Sequence, residues 1–362
     1  MSKEQKKAQF GVYVVDDSAF MRNALSEMIN SDPALWVVGS ARTGDEALQR
    51  IAGLDPDVIT LDVEMPGLDG LQTLKRIMAE FPRPVIMVSS LTLKNAETTF
   101  AALEVGAFDY VPKQLSPSSL DILHLRDDLV AKIKAGAVSR LRRAPPVTSR
   151  KPPQPAEIPK YAGIFSEHSI VAIGVSTGGP KALQDILPAL PADLMVPILV
   201  VQHMPAGFTA PFAKRLNNLC AISIREAANG EAVLPGVVYI ARAGVHLTLD
   251  HATARTLICL SDKPENQLHT PSIDIMMQSV ASTFGSRSIG IIMTGMGADG
   301  AQGMSSIHAH GGLTVGQDEA SCTVYGMPRV CAEMGILNRV VSLSQIPDVI
   351  LQATRYRKIT AS

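Results

Sequence analysis

Cysteine is scarce. The 362 residues hold four, Cys220, Cys259, Cys322 and Cys331, and no C-x-x-C pair. That spacing excludes the common zinc and disulfide frameworks, so the thiols read as small core residues of a reducing compartment. Excess charge is also missing: the formal net charge is -1, without the basic surplus of a nucleic-acid binder. No apolar run exceeds strand length, which excludes a membrane span. Behind the charged start MSKEQKKAQF, residues 12–15 are too short for a signal-peptide core, so a cytoplasmic protein is expected. Nor is there an internal repeat, a G-x-x-x-x-G-K-[ST] loop, or a G-x-G-x-x-G with a partner acid. Hydrophobic residues make up 46% and charged residues 19%, the balance of a globular chain long enough for two domains.

The first third alternates apolar runs with helical patterns. The runs are 11–15, 36–39, 58–61, 85–88 and 108–111, and the helical segments include 18–30, 43–51, 70–81, 95–105 and 117–134. Five strands, each followed by a helix, predict a doubly wound parallel α/β sheet, because parallel strands need crossovers. Residues 144–159, APPVTSRKPPQPAEIP, are too proline-rich and apolar-poor for a core, so 135–167 is expected to be a linker. A second, mostly parallel α/β domain is expected over 168–362. Runs 170–175, 197–201 and 288–293 read as its buried strands. Runs 236–240 and 246–249, separated by ARAG, predict an antiparallel hairpin.

Asp16 and Asp17 end the first strand, and Asp62 ends the third. Ligands of open parallel sheets sit at the carboxyl ends of the strands. Three carboxylates gathered there repel unless a divalent cation neutralises them, and hard oxygens suit Mg²⁺. Ser89, ending the fourth strand, and Lys113, after the fifth, bring a hydroxyl and an ammonium to the same rim. One such residue reads as solvated surface. Five in order are the parts for phosphoryl transfer to a carboxylate.

The segments VVDDS, LDVEMPGLDG, MVSS and DYVPK resemble the response-regulator receiver family over residues 10–134. The resemblance implies a flavodoxin-like receiver domain over 1–134, with Asp62 phosphorylated by a chemotaxis histidine kinase. It also implies that Asp16, Asp17 and Asp62 hold Mg²⁺, that Ser89 and Lys113 contact the phosphate, and that Tyr110 is a rotamer-switch aromatic. Receivers usually carry a cis proline after this lysine, whereas Gln114 follows here. A non-proline cis bond costs about 2.5–4 kcal/mol, so a rearranged turn is expected.

In the second domain, residues 174–178 satisfy G-x-S-x-G, which exposes Ser176 on a strand-to-helix turn. Pro180 fits the first turn of the helix that follows. By itself the motif also suits a phosphate cradle. The next strand runs into His203, at the same sheet edge as Ser176. Strand 288–293 ends in TGMGADG, which offers Asp299 as a carboxylate and backbone amides near Met296 as oxyanion donors. Serine, histidine and aspartate at three strand ends suit nucleophilic hydrolysis. The chain order Ser, His, Asp matches none of the common hydrolase orders. Asp250, Asp274 and Asp318 remain rival carboxylates, and His246, His269 and His310 rival bases. Asp274 suits a helix-orienting role.

The combination GVSTGGP, QHMP and TGMGADG resembles the catalytic domain of chemotaxis protein-glutamate methylesterases, from residue 169 onward. The resemblance implies Ser176, His203 and Asp299 as a triad acting through an acyl-enzyme, with no cofactor for hydrolysis. Its implied substrates are glutamate methyl esters, and certain glutamines, of methyl-accepting chemotaxis receptors. A receiver that inhibits until phosphorylated is implied as well. The competing reading, a response regulator that only binds a partner, has no need of these three residues.

Overall fold

Short buried strands alternate with helices from Phe10 onward. In this computed structural model, residues 9–90, 92–113, 119–142, 169–250, 255–265 and 267–354 are described. They form two compact units.

The chain first runs through β1 (Phe10–Val15), α1 (Ala19–Asn30), β2 (Leu35–Ala41), α2 (Gly44–Leu54), β3 (Val58–Asp62), α3 (Gly70–Glu80), β4 (Val85–Ser89), α4 (Leu93–Val105), β5 (Asp109–Pro112) and α5 (Ser119–Arg142), and all of these except α4 belong to the first unit. Ser18, Thr43 and Asp69 cap α1, α2 and α3 through their side-chain oxygens, satisfying amides that a helix start leaves free. The sheet is parallel, in the order β2-β1-β3-β4-β5. Val12, Val14, Ile86 and Val88 form its core with Leu125, Leu129, Ile133 and Ala137 of α5. That spacing of four keeps one helical face on the sheet. The helix continues past residue 134 to Arg142, since Ala137 still meets the core. The expected linker 144–159 and the turn at Gln114 lie outside the described residues.

The second unit comprises β6 (Ile170–Val175), α6 (Gly179–Ile186), β7 (Ile198–Gln202), α7 (Thr209–Leu219), β8 (Ser223–Glu226), β9 (Val237–Ile240), β10 (His246–Asp250), β11 (Leu257–Ser261), α8 (Ile273–Phe284), β12 (Ser288–Ile292), α9 (Ala301–Ala309), β13 (Leu313–Gln317), α10 (Met327–Glu333), β14 (Arg339–Val341) and α11 (Ile346–Ala353). Seven strands form a wholly parallel sheet, β14-β13-β12-β6-β7-β9-β8.

The expected hairpin of 236–240 with 246–249 does not form. β9 lies between β7 and β8 and is buried throughout, so both of its edges are occupied. β10 pairs antiparallel with β11 instead, in a separate two-stranded sheet. Leu247 and Ile258 of that sheet join Met276, Met277 and Val280 of α8 in the core, and Ser279 Oγ accepts the Leu249 amide at 2.8 Å.

Among the described residues no helix is long and apolar enough to cross a membrane. All four cysteines are free. Burial pushes the Cys331 thiol up to about 12, which keeps it protonated and inert.

Candidate functional site

Two groups of polar side chains stand at strand carboxyl ends, one in each unit. In the first unit β1 lies between β2 and β3, the point where the winding direction changes. Asp16 follows β1 and Asp62 ends β3. The Lys113 ammonium reaches both, at 2.9 Å from Asp16 Oδ2 and 2.6 Å from Asp62 Oδ2. The remaining oxygens accept backbone amides, Ser18 N on Asp16 Oδ1 and Glu64 N on Asp62 Oδ1. Carboxylate oxygens of Asp16, Asp17 and Asp62 lie within 4.8 Å of one another. Burial pushes the Asp62 carboxyl up to about 6, and the Asp16 charge adds to that, against the pull of Lys113. One ammonium therefore leaves this acidic cluster under-neutralised. Three hard oxygen donors with that deficit fit a small divalent cation such as Mg²⁺.

Ser89 is buried at the end of β4, and its carbonyl accepts the Lys113 amide at 2.7 Å. The expected hydroxyl and ammonium thus belong to adjacent chain ends. Tyr110 is buried on β5, and Lys132 Nζ donates to its carbonyl at 2.8 Å.

Gly70 shows how tightly the LDVEMPGLDG segment is packed. A Cβ there would lie 2.0 Å from the Asp62 carbonyl oxygen and 2.8 Å from Val63 Cα. Backbone cannot yield as a side chain does. Gly70→Ala is expected to destabilise the first unit by about 1–3 kcal/mol and to slow Asp62 phosphorylation, as checked by urea unfolding and phosphodonor uptake. Wild-type values for both would show that the α3 start can shift freely.

In the second unit β6 is flanked by β7 and β12, the switch point of the larger sheet. Ser176, His203 and Asp299 come from these three strand ends. Ser176 lies on a tight turn in which Gly179 N donates to its carbonyl at 2.8 Å. His203 Nδ1 lies 3.2 Å from Ser176 Oγ, and His203 Nε2 lies 2.8 Å from Asp299 Oδ2. A neutral ring with its proton on Nε2 donates to Asp299 and presents a lone pair to the hydroxyl. Three more donors hold the Asp299 carboxylate. Ser272 Oγ and Asp274 N give to Oδ1, at 3.0 Å each, and Ile273 N gives to Oδ2 at 2.8 Å. Burial opposes the Asp299 charge, but the His203 bond and these amides overcome it and hold the carboxyl well below its usual range. All three donors come from the α8 N-terminus, where a positive dipole end favours an anion.

Gly295 packs against Ser176, and a Cβ there would meet Ser176 Cβ at 2.8 Å. The chain at Gly295 therefore passes close beside Ser176.

Two family descriptions match the chain: "Response regulator receiver domain" over residues 12–123 and "CheB methylesterase" over residues 171–350. A protein-glutamate methylesterase/protein-glutamine glutaminase from Nitratidesulfovibrio vulgaris is 46% identical, covering 94% of this chain and 98% of its own. The chain belongs to this family. A member from Pyrococcus horikoshii is 44% identical, over 94% of this chain and 93% of its own. The crystal structure of the Thermotoga maritima CheB methylesterase catalytic domain, 37% identical, superposes with a TM-score of 0.50, covering 52% of this chain and 99% of that one.

Within this methylesterase the rival residues have other partners. Asp274 Oδ1 accepts the Gly303 amide at 2.7 Å and so orients the start of α9. Burial, together with the Asp299 charge, raises its carboxyl. Asp318 accepts Ser321 N and Oγ, while Asp250 is exposed at the end of β10. His246 Nδ1 accepts the Ser272 amide at 3.1 Å. His310, just past the end of α9, bonds to Ser306 O in that helix. His269 stacks on His203, with ring centroids 4.0 Å apart.

Sequence reasoning missed Ser272. It both caps α8 and donates to Asp299, and a serine immediately before a helical apolar pattern was the available signal.

Proposed function

We propose that this chain hydrolyses glutamate methyl esters, and deamidates certain glutamines, on methyl-accepting chemotaxis receptors, using Ser176, His203 and Asp299. The observation that carries the reading is the continuous contact from Ser176 Oγ through the His203 ring to Asp299. Ser176 Oγ attacks the ester carbonyl while its proton passes to His203 Nδ1. Asp299 orients the ring and stabilises the imidazolium. The peptide N–H beside Met296 receives the developing oxyanion. Collapse breaks the C–O bond, and the proton on Nδ1 leaves with methoxide as methanol, or with an amide nitrogen as ammonia. Water, deprotonated by His203, then attacks the acyl-enzyme, and the Ser176 ester bond breaks as His203 returns that proton to Oγ, leaving the receptor glutamate as a free carboxyl. Every proton has a protein acceptor, so hydrolysis proceeds without a cofactor.

In the receiver, Asp62 is the phosphate acceptor and a chemotaxis histidine kinase the donor. Asp16, Asp17 and Asp62 would hold Mg²⁺, which when bound draws charge from the phosphoryl oxygens. Lys113 and the Ser89 hydroxyl contact the phosphate, and Tyr110 repacks in response. The phosphoryl group adds about two negative charges, a change large enough to shift a two-state equilibrium. The receiver restrains hydrolysis until that shift occurs.

Methanol release from methylated receptor membranes tests both halves. Activity should rise on adding a small-molecule phosphodonor. Asp62→Asn should keep the basal rate and lose the response, and removing residues 1–150 should raise the basal rate. A truncated chain no faster than the unphosphorylated whole would replace inhibition by positive activation. Absence of methanol release under every condition would leave a regulator that only binds.

A further inference from the structure

Gln202 ends β7, directly before His203, and only 2% of its surface is exposed. Its side chain turns back across the sheet edge. Nε2 donates to the Ser176 carbonyl and to the His203 carbonyl, at 3.0 Å each. Both amide hydrogens are thus spent on the two residues whose side chains meet. Oε1 is buried and has no hydrogen-bond partner among the described residues. It presses on the start of α6, where a Cβ at Gly179 would lie 2.1 Å from it. The third glycine of GVSTGGP therefore leaves the space that Gln202 occupies. The two motifs interlock.

A residue serving only to fill this volume would be apolar, since a buried acceptor without a donor is a liability. Gln202 carries that liability while its other end bridges the two carbonyls. The β6–β7 ladder already joins the strands, with Val175 opposite Gln202 and His203 N donating to Val175 O. It stops there. Beyond the ladder, the bond from Gly179 restrains the Ser176 carbonyl within its own turn, whereas the amide of Gln202 ties that carbonyl to the His203 chain.

We propose that Gln202 is a positioning residue of the hydrolytic site, one side-chain amide that locks the nucleophile turn to the base and sets their 3.2 Å approach. This rests on Ser176 and His203 being nucleophile and base. Misplacing reacting groups by about 1 Å can cost on the order of 100-fold.

The test uses full-length Gln202→Met, of similar length but with no donor, and Gln202→Glu, a near isostere with the donors gone. Ser176→Ala is carried alongside. Methyl-ester turnover, labelling by a fluorophosphonate, and thermal unfolding are measured. Both Gln202 variants should lose about 100-fold in kcat, with KM within about twofold and a parallel fall in labelling rate. In Gln202→Met, which adds no charge, the pH midpoint of kcat/KM should stay where it is, because the base is unchanged. Near-wild-type kcat and labelling in either folded variant would overturn the proposal. So would failure of both to fold, which would make Gln202 a folding residue. An active Ser176→Ala would instead sink the triad reading itself. An inactive Ser176→Ala beside a fully active Gln202→Met would sink only the role given to Gln202.

Discussion

Ser176→Ala is expected to lose on the order of 10⁶-fold in methanol release, and His203→Ala about as much. The expectation rests on the Ser176 hydroxyl, which His203 Nδ1 faces at 3.2 Å. Nucleophile and base act as a unit, so the double substitution should cost scarcely more than either single one. Fluorophosphonate labelling separates the two singles: Ser176→Ala should not label at all, and His203→Ala should label slowly. Neither substitution removes a core side chain, so both chains should unfold at near-wild-type temperatures. Near-normal turnover in Ser176→Ala would end the acyl-enzyme mechanism, whatever the other variants do.

Asp299→Asn is expected to cost about 10⁴-fold in kcat. The carboxylate accepts two bonds on each oxygen, from Ser272 and Asp274 on Oδ1 and from Ile273 and His203 on Oδ2. An asparagine has one acceptor oxygen, so its NH₂ must face either two donors of α8 or the Ile273 amide and His203. The first arrangement disturbs the helix start. The second forces the ring proton from Nε2 to Nδ1, the tautomer that cannot take a proton from serine. Asp274→Asn is the control. Its oxygen can still accept the Gly303 amide, and less than a tenfold loss is expected. Kinetics of both variants decide the matter, and a mild Asp299→Asn beside an inactive Asp274→Asn would mean that the triad carboxylate has been misassigned.

Much of both sites was legible because chemistry stood at strand ends. An apolar run closed by Asp, Ser or His fixes a residue's place on the sheet rim, and parallel order brings those rims together. That is why Asp16, Asp62, Ser89 and Lys113, and then Ser176, His203 and Asp299, could be grouped from sequence. The hairpin failed for a related reason. Residues 237–240 and 246–250 are neighbours in sequence with a turn between them, but nothing local records that β8 and β7 already fill both edges of β9. Strands β8, β11, β13 and β14 passed unread because they are three to five residues long and polar or glycine-bearing in part. Gln202 acts through a bond to the Ser176 carbonyl and Ser272 through one to the Asp299 carboxylate, both far along the chain, and such bonds leave no periodicity.

The bond between His203 and Asp299 joins residues 96 positions apart, and β12, whose end carries Asp299, inserts beside β6 rather than beside the strand before it. Synthesis therefore delivers serine and histidine long before their carboxylate. Closing so long a loop in a parallel sheet is slow, since chain entropy is spent before the contacts form. A nascent chain paused short of β12 would hold the serine and imidazole without their carboxylate, and is expected to have little esterase activity to misdirect. First turnover is thus a clock for the pairing of β12 with β6.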